Sequence, residues 1–152
     1  LVRIFAKHVA PAEPTATLTF VGVGPQTEKL KVLASDLGVA ARVHFLGEVD
    51  FAKLAAYYAH ADIFVHTSLS ETYGNVMGEA LWCGTPTVAF ADGLGVSAQI
   101  KDRVNGILLS AGQGTQGEEA ADAAFGVIGG LHRTPEPVEP HFGMLTRGQF
   151  GL

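Results

Sequence analysis

The chain has 152 residues, of which 47% are apolar, and a net charge of −5 from 10 basic and 15 acidic residues. This length and apolar content predict one domain with its own core and argue against disorder. The sequence has no basic run, so nucleic acid is not an expected partner, and no stretch approaches the roughly 20 apolar residues of a transmembrane segment.

The single cysteine, Cys83, cannot form an internal disulfide. It fits a reducing, cytoplasmic compartment and is interpreted as a small buried residue without a nucleophilic role.

Helical and strand patterns alternate along most of the sequence. In chain order the sequence predicts a helix at 1–9, a strand at 18–23, a helix at 26–37, a strand at 43–46, a helix at 51–60, a strand at 63–66, a helix at 75–83, a strand at 87–90, a helix at 96–101, a strand at 106–109 and a helix at 118–128. The alternation predicts an α/β fold, a Rossmann-like parallel sheet with helices on both faces. Residues 1–111 form the predicted domain, and residues 112–152 the last helix and an irregular tail.

A glycine pair follows the first predicted strand, at Gly22 and Gly24. A dinucleotide-binding fingerprint would need a third glycine where Thr27 stands. The pair therefore predicts a tight turn that allows close backbone approach, and it argues against NAD binding.

Two carboxylates flank the turn after the third predicted strand. Glu71 precedes Gly74 and Asn75, and Glu79 lies in the short helix that follows. Ligands of parallel sheets bind at the carboxyl ends of the strands, and a helix start offers free N–H groups to a phosphate. The carboxylates suit hydroxyl groups, so the local chemistry indicates a sugar–nucleotide site. The alternatives are a solvated loop acid at Glu71 and a structural partner for Glu79, whose helix neighbours are apolar.

Other polar residues near this turn are weaker candidates. His66 ends the third predicted strand, and Ser68 and Ser70 follow it as hydroxyl donors or as simple turn residues. The remaining histidines are dispersed without metal-ligand spacing, so no metal site is predicted.

Several short motifs together resemble the C-terminal domain of retaining GT-B glycosyltransferases, and family 4 of these enzymes in particular. They are Gly22-Val-Gly-Pro25, Arg42-Val-His-Phe-Leu-Gly47, Ala61-Asp-Ile-Phe-Val65, Glu71 and Glu79 with seven residues between them, Cys83-Gly-Thr-Pro86, and Asn105-Gly106. The resemblance covers about residues 1–110.

The resemblance implies a nucleotide-sugar-binding domain, the C-terminal half of a GT-B fold, which transfers a sugar with retention of configuration. It implies that Glu71 acts catalytically at the donor sugar and that Glu79 holds the ribose. The remaining donor-binding residues implied are Gly74, Asn75 and Val76 for the diphosphate, Gly47 and Glu48 for the base, and His66, Ser68 and Ser70 along the cleft. No cofactor and no metal ion are implied.

The chain also departs from the resembling family. The sequence lacks the Arg and Lys that clamp the diphosphate in the family, and it lacks the N-terminal acceptor domain. Ala98 stands where an acidic residue is common in the family. The expectation is a fragment whose sugar, lipid-linked or small-molecule acceptor is bound by the missing half, at a cytoplasmic or membrane-peripheral location. The alternatives are a GT-B-like epimerase or phosphorylase, and a non-catalytic nucleotide-sugar-binding module.

Overall fold

The computed structural model describes residues 1–68, 74–91, 94–110 and 145–147, the last as backbone only. A first helical run, α1, spans residues 2–12 and has a π-helical middle at Phe5–Val9. The elements that follow are β1 (Ala16–Phe20), α2 (Thr27–Asp36), β2 (Val43–Phe45), α3 (Phe51–Tyr58), β3 (Phe64–His66), α4 (Asn75–Trp82), β4 (Thr87–Ala91), α5 (Gly95–Gln99), β5 (Gly106–Ser110) and β6 (Leu145–Arg147). A 3₁₀ turn at Ala40–Arg42 precedes β2.

Within the described residues the strands form two three-stranded sheets, ordered β2-β1-β6 and β3-β4-β5. The pairs β1–β2, β3–β4 and β4–β5 are parallel, as the alternation predicts, with Leu18 opposite Val43 and Val65 opposite Val88. Strand β6 pairs antiparallel with β1 and adds to the predicted parallel pairs. It comes from the tail, where the sequence shows no strand pattern, and it bonds to the edge of β1 that β2 leaves open.

One apolar core includes residues from both sheets, among them Leu18 of β1, Val65 of β3 and Phe90 of β4. Helix α1 contributes Phe5, which is fully buried. Arg42 holds the end of that helix, because its guanidinium donates hydrogen bonds to the carbonyls of Ala10, Glu13 and Pro14 and lies over the Phe5 ring. The Arg42 of the resemblance motif is therefore a structural residue.

A second core cluster lies around α4 and includes Met77 and Ala80 on that helix, Tyr58 of α3 and Val96 of α5. The apolar pattern of residues 75–83 predicts this inward face correctly. Helix α4 thus packs between its two helical neighbours and against β3 and β4. No helix among the described residues is long and apolar enough to cross a bilayer.

Candidate functional site

The site begins at the start of α4, where the chain turns sharply at Gly74. Gly74 is the N-cap residue in the left-handed region, with φ of +72°, and it offers no side chain to the helix. A Cβ atom there would collide with the Met77 thioether methyl. Because the first N–H groups of a helix lack acceptors within it, the amides of Asn75 and Val76 are available to an anionic ligand.

Glu79 lies one turn further along α4, about 6 Å along the helix axis from Asn75. Side chains on a helix lean toward its N-terminus, so the half-buried carboxylate is directed toward the helix start. Its Oε2 accepts a hydrogen bond of 3.2 Å from the hydroxyl of Tyr58. Within the described part of the chain, Oε1 accepts none. The carboxylate therefore has both an internal partner and an oxygen left over for a ligand.

Tyr58 is the residue that the sequence analysis missed. It is buried at the end of α3, with its ring edge-on to Phe64 at 5.4 Å. Burial raises the pKa of the Tyr58 phenol far above its ordinary value, and the Glu79 carboxylate and their hydrogen bond raise it further. The phenol therefore stays protonated and remains a donor. The position of Tyr58 in the helical pattern predicted only that its side chain packs in the core. The sequence did not indicate a bond to Glu79, because Glu79 lies 21 residues away.

The turn at the end of α4 contacts the backbone of Tyr58. Gly84 adopts φ of +82° and stops the helix, with its N–H bonded to the Leu81 carbonyl and the N–H of Thr85 bonded to the Ala80 carbonyl. The turn brings Thr85 into the core, where its hydroxyl donates a hydrogen bond of 2.8 Å to the Tyr58 carbonyl. The Cys-Gly-Thr-Pro motif thus connects the ends of α3 and α4.

Cys83, predicted to be buried, is half-exposed at the end of α4, and its neighbour Trp82 is 93% exposed. Cys83 still packs against the second core cluster, whereas Trp82 lies off the buried face of α4. Partial burial raises the pKa of the Cys83 thiol, and the charge of Glu79 raises it further. A raised pKa lowers the fraction of reactive thiolate, and the absence of a nucleophilic role stays a prediction.

The remaining predicted residues divide between two places. His66 ends β3 and stacks on Phe64 at 6.3 Å, and Ser68 follows it on the same loop as the start of α4. Gly47 lies after β2, and its carbonyl accepts a hydrogen bond of 2.7 Å from the N–H of Gly22. Glu48 beside it is exposed. No hydrogen bond or ion pair in the described structure joins these two residues to α4. Glu71 and Ser70 lie outside the described residues.

No cluster of three or more His, Cys, Asp or Glu side chains suited to a metal ion occurs among residues 1–68, 74–91 and 94–110. Among the described residues, the start of α4 brings together the Glu79 carboxylate, the phenol of Tyr58 from α3 and the first backbone amides of the helix. This set suits hydroxyl and phosphate groups of a ligand.

Residues 1–126 match the family described as glycosyl transferases group 1. The chain belongs to this family. The D-inositol 3-phosphate glycosyltransferase of Geodermatophilus obscurus is 38% identical over 105 residues, which are 69% of this chain and 22% of that protein. The protein of the same name from Mycobacterium tuberculosis is 40% identical over 90 residues, or 59% of this chain and 18% of its own length. The chain therefore spans about a fifth of these relatives.

Solved structures show the same fold. The pneumococcal O-GlcNAc transferase GtfA, solved with UDP and GlcNAc, matches with a TM-score of 0.73 and 21% identity over 87% of this chain and 26% of its own. HepE of Anabaena, solved with UDP-glucose, matches with a TM-score of 0.64 and 30% identity over 86% of this chain and 36% of its own. The predicted Rossmann-like α/β class is confirmed.

Proposed function

We propose that this chain is the donor-binding half of a glycosyltransferase that takes its sugar from a uridine diphosphate sugar. The observation that carries the proposal is the half-buried carboxylate of Glu79, in which Oε2 accepts a hydrogen bond from Tyr58 and Oε1 accepts none from the residues that the structure describes. A carboxylate oxygen in this position accepts hydrogen bonds from vicinal hydroxyls, such as those of a ribose. Glu79 is the proposed ribose ligand.

The diphosphate would lie at the start of α4. The amides of Asn75 and Val76 and the positive end of the helix dipole favour a group whose negative charge grows as the sugar leaves. UDP is favoured as the nucleotide because HepE, 30% identical to this chain, was solved with UDP-glucose. Gly47, Glu48, His66 and Ser68 remain proposed contacts for the base and the sides of the cleft, together with Ser70.

The transferred group would be a hexose, with retention of configuration, as in the family 4 enzymes that the sequence resembles. The bond between the anomeric carbon and the diphosphate oxygen breaks, and the nucleoside diphosphate leaves with the electron pair. The oxygen of the acceptor hydroxyl bonds to the anomeric carbon in its place, and the hydroxyl proton passes to the departing diphosphate. Glu71 is proposed to contact the donor sugar as positive charge develops on the ring. Neither a metal ion nor another cofactor takes part in the proposed reaction.

The proposed acceptor is a polyol phosphate, bound by a part of the enzyme beyond this chain. The support is the name shared by the relatives from Geodermatophilus and Mycobacterium, D-inositol 3-phosphate glycosyltransferase. A phosphorylated polyol is a water-soluble acceptor, so this reaction fits the cytoplasmic location that the cysteine content suggests.

Calorimetric titration with UDP tests the ribose assignment. Glu79→Gln should weaken binding about tenfold or more, because a charge-assisted hydrogen bond contributes about 1.5–3 kcal/mol. The matched control is Glu28→Gln, which removes the same charge from an exposed i,i+3 pair with Lys31 on α2. It should bind UDP as the parent does. Equal affinity in Glu79→Gln and the parent would exclude the ribose role.

Transfer is tested with UDP-glucose and D-inositol 3-phosphate in the full-length enzyme. NMR of the product should show the anomeric configuration of the donor. An epimerised nucleotide sugar, or a sugar phosphate formed with inorganic phosphate, would instead identify an epimerase or a phosphorylase. UDP-glucose binding without any turnover would indicate a non-catalytic module.

A further inference from the structure

We infer that Tyr58 is a positioning residue for the nucleotide site and that its hydroxyl fixes the Glu79 carboxylate so that Oε1 faces the ribose hydroxyls. This inference rests on the proposed function. The observation behind it is the 3.2 Å hydrogen bond from the Tyr58 hydroxyl to Glu79 Oε2. This bond joins α3 and α4, which pack against each other. Tyr58 touches no ligand in this arrangement and acts through Glu79.

The carboxylate needs such a partner. A glutamate side chain on a helix has several rotamers, and fixing it on ligand binding costs free energy that a preformed contact removes beforehand. A hydrogen bond to one carboxylate oxygen leaves the acceptor capacity of the other intact. Tyr58 therefore holds the carboxylate in place without competing for Oε1.

Tyr58 is itself held at three points. Its ring packs edge-on to Phe64, its carbonyl accepts the Thr85 hydroxyl, and its phenol is buried. The raised pKa of the phenol keeps the proton that the carboxylate needs. Since Thr85 is positioned by the left-handed turn at Gly84, the Cys-Gly-Thr-Pro motif supports the site through Tyr58.

A comparison of two ligands separates positioning from a general structural role. UDP has both ribose hydroxyls, and 2′,3′-dideoxy-UDP has neither. In the parent, UDP should bind more tightly than the dideoxy analogue. Tyr58→Phe should weaken UDP binding about twofold to tenfold, the cost of fixing one free side chain on binding, and should leave the dideoxy analogue unaffected. The control is Tyr57→Phe, the same change at an exposed neighbour, which should leave both affinities unchanged.

The double variant Tyr58→Phe with Glu79→Gln completes the experiment. Because Tyr58 acts through Glu79, its removal should have no further effect once Glu79 is replaced. Calorimetry on all four proteins gives this coupling directly. Thermal unfolding of each free protein accompanies it. Thr85→Val, which removes the side-chain hydrogen bond to the Tyr58 carbonyl, takes the place of Tyr58→Phe if that variant does not fold.

The outcomes distinguish this inference from the proposed function. If Glu79→Gln binds UDP and the dideoxy analogue as the parent does, the ribose assignment fails and the inference fails with it. If Glu79→Gln loses the preference for UDP but Tyr58→Phe keeps it, or weakens both ligands equally, the ribose assignment stands and the positioning role is overturned. The same criterion applies to Thr85→Val.

Discussion

Cys83 caps the end of α4, one helical turn beyond Glu79. Burial raises the pKa of the Cys83 thiol, and the Glu79 carboxylate raises it further. The pairing follows from i,i+4 spacing, which places both side chains on neighbouring positions of the helix surface. Since Cys83 is the only cysteine of the chain, its chemistry reports on a single place in the molecule. That place is the end of α4, next to Glu79, the proposed ribose ligand.

The alkylation rate of Cys83 should therefore respond to the charge of Glu79. Glu79→Gln removes the negative charge, lowers the pKa of the thiol and speeds its reaction with iodoacetamide below the pKa, because the thiolate is the reactive form. The rate is measured as a function of pH by mass spectrometry. Glu28→Gln, with an exposed carboxylate on α2, serves as the control and should leave the profile unchanged. Superimposable profiles for the parent and Glu79→Gln would contradict the proximity of the two groups.

The buried phenol of Tyr58 predicts a loss of stability at high pH. Its pKa is raised in the folded state, so the unfolded chain releases the proton first, above the ordinary tyrosine value of about 10. The contribution of Tyr58 is fully present below about pH 10 and is lost as the pH rises above it. Urea unfolding of the parent should show this decline, and Tyr58→Phe should decline less steeply. A Tyr58→Phe curve parallel to that of the parent would contradict the burial of the phenol.

The same substitution at two buried threonines should have opposite effects. Thr85→Val removes the shorter of two hydrogen bonds to the Tyr58 carbonyl, which keeps only the 3.3 Å bond from the Ala61 N–H. The loss of this buried bond should lower the free energy of unfolding by about 0.5–1.5 kcal/mol. Thr87 is also buried, but its hydroxyl has no partner among the described residues. Thr87→Val should be neutral or stabilise by up to about 1 kcal/mol. Denaturant unfolding compares them, and equal losses would refute the assigned bond at Thr85.

Gly106 is required by close approach of β4 to β5. A Cβ atom at this position would collide with the Thr87 carbonyl, which is backbone and cannot rotate away. Gly106→Ala should therefore destabilise the protein by about 1–3 kcal/mol. Gly24→Ala is the control, because a Cβ there meets nothing within 4 Å. A Gly106→Ala variant that melts with the parent would show that the strands have room to separate.

The sequence alone determined the order and kind of the elements between residues 1 and 110. Apolar runs and helical periodicity are local signals, so the third strand was predicted at 63–66 and is found at Phe64–His66. The first strand was placed at 18–23 and is found at Ala16–Phe20. The apolar run continues to Val23, but Gly22 adopts φ of +113°, which no strand allows. The helix predicted at 118–128 lies outside the described residues, as does Glu71.

Only the tertiary structure decided which residues share the site. The pairing of Tyr58 with Glu79, the bond of Thr85 to the Tyr58 carbonyl and the strand β6 beside β1 all join residues distant in sequence. Periodicity fixes which face of a helix is buried, but it cannot fix which neighbour that face meets, because this depends on how the helices pack on the sheet. The carboxylate was visible in the sequence, and its partner became visible only when α3 and α4 came together.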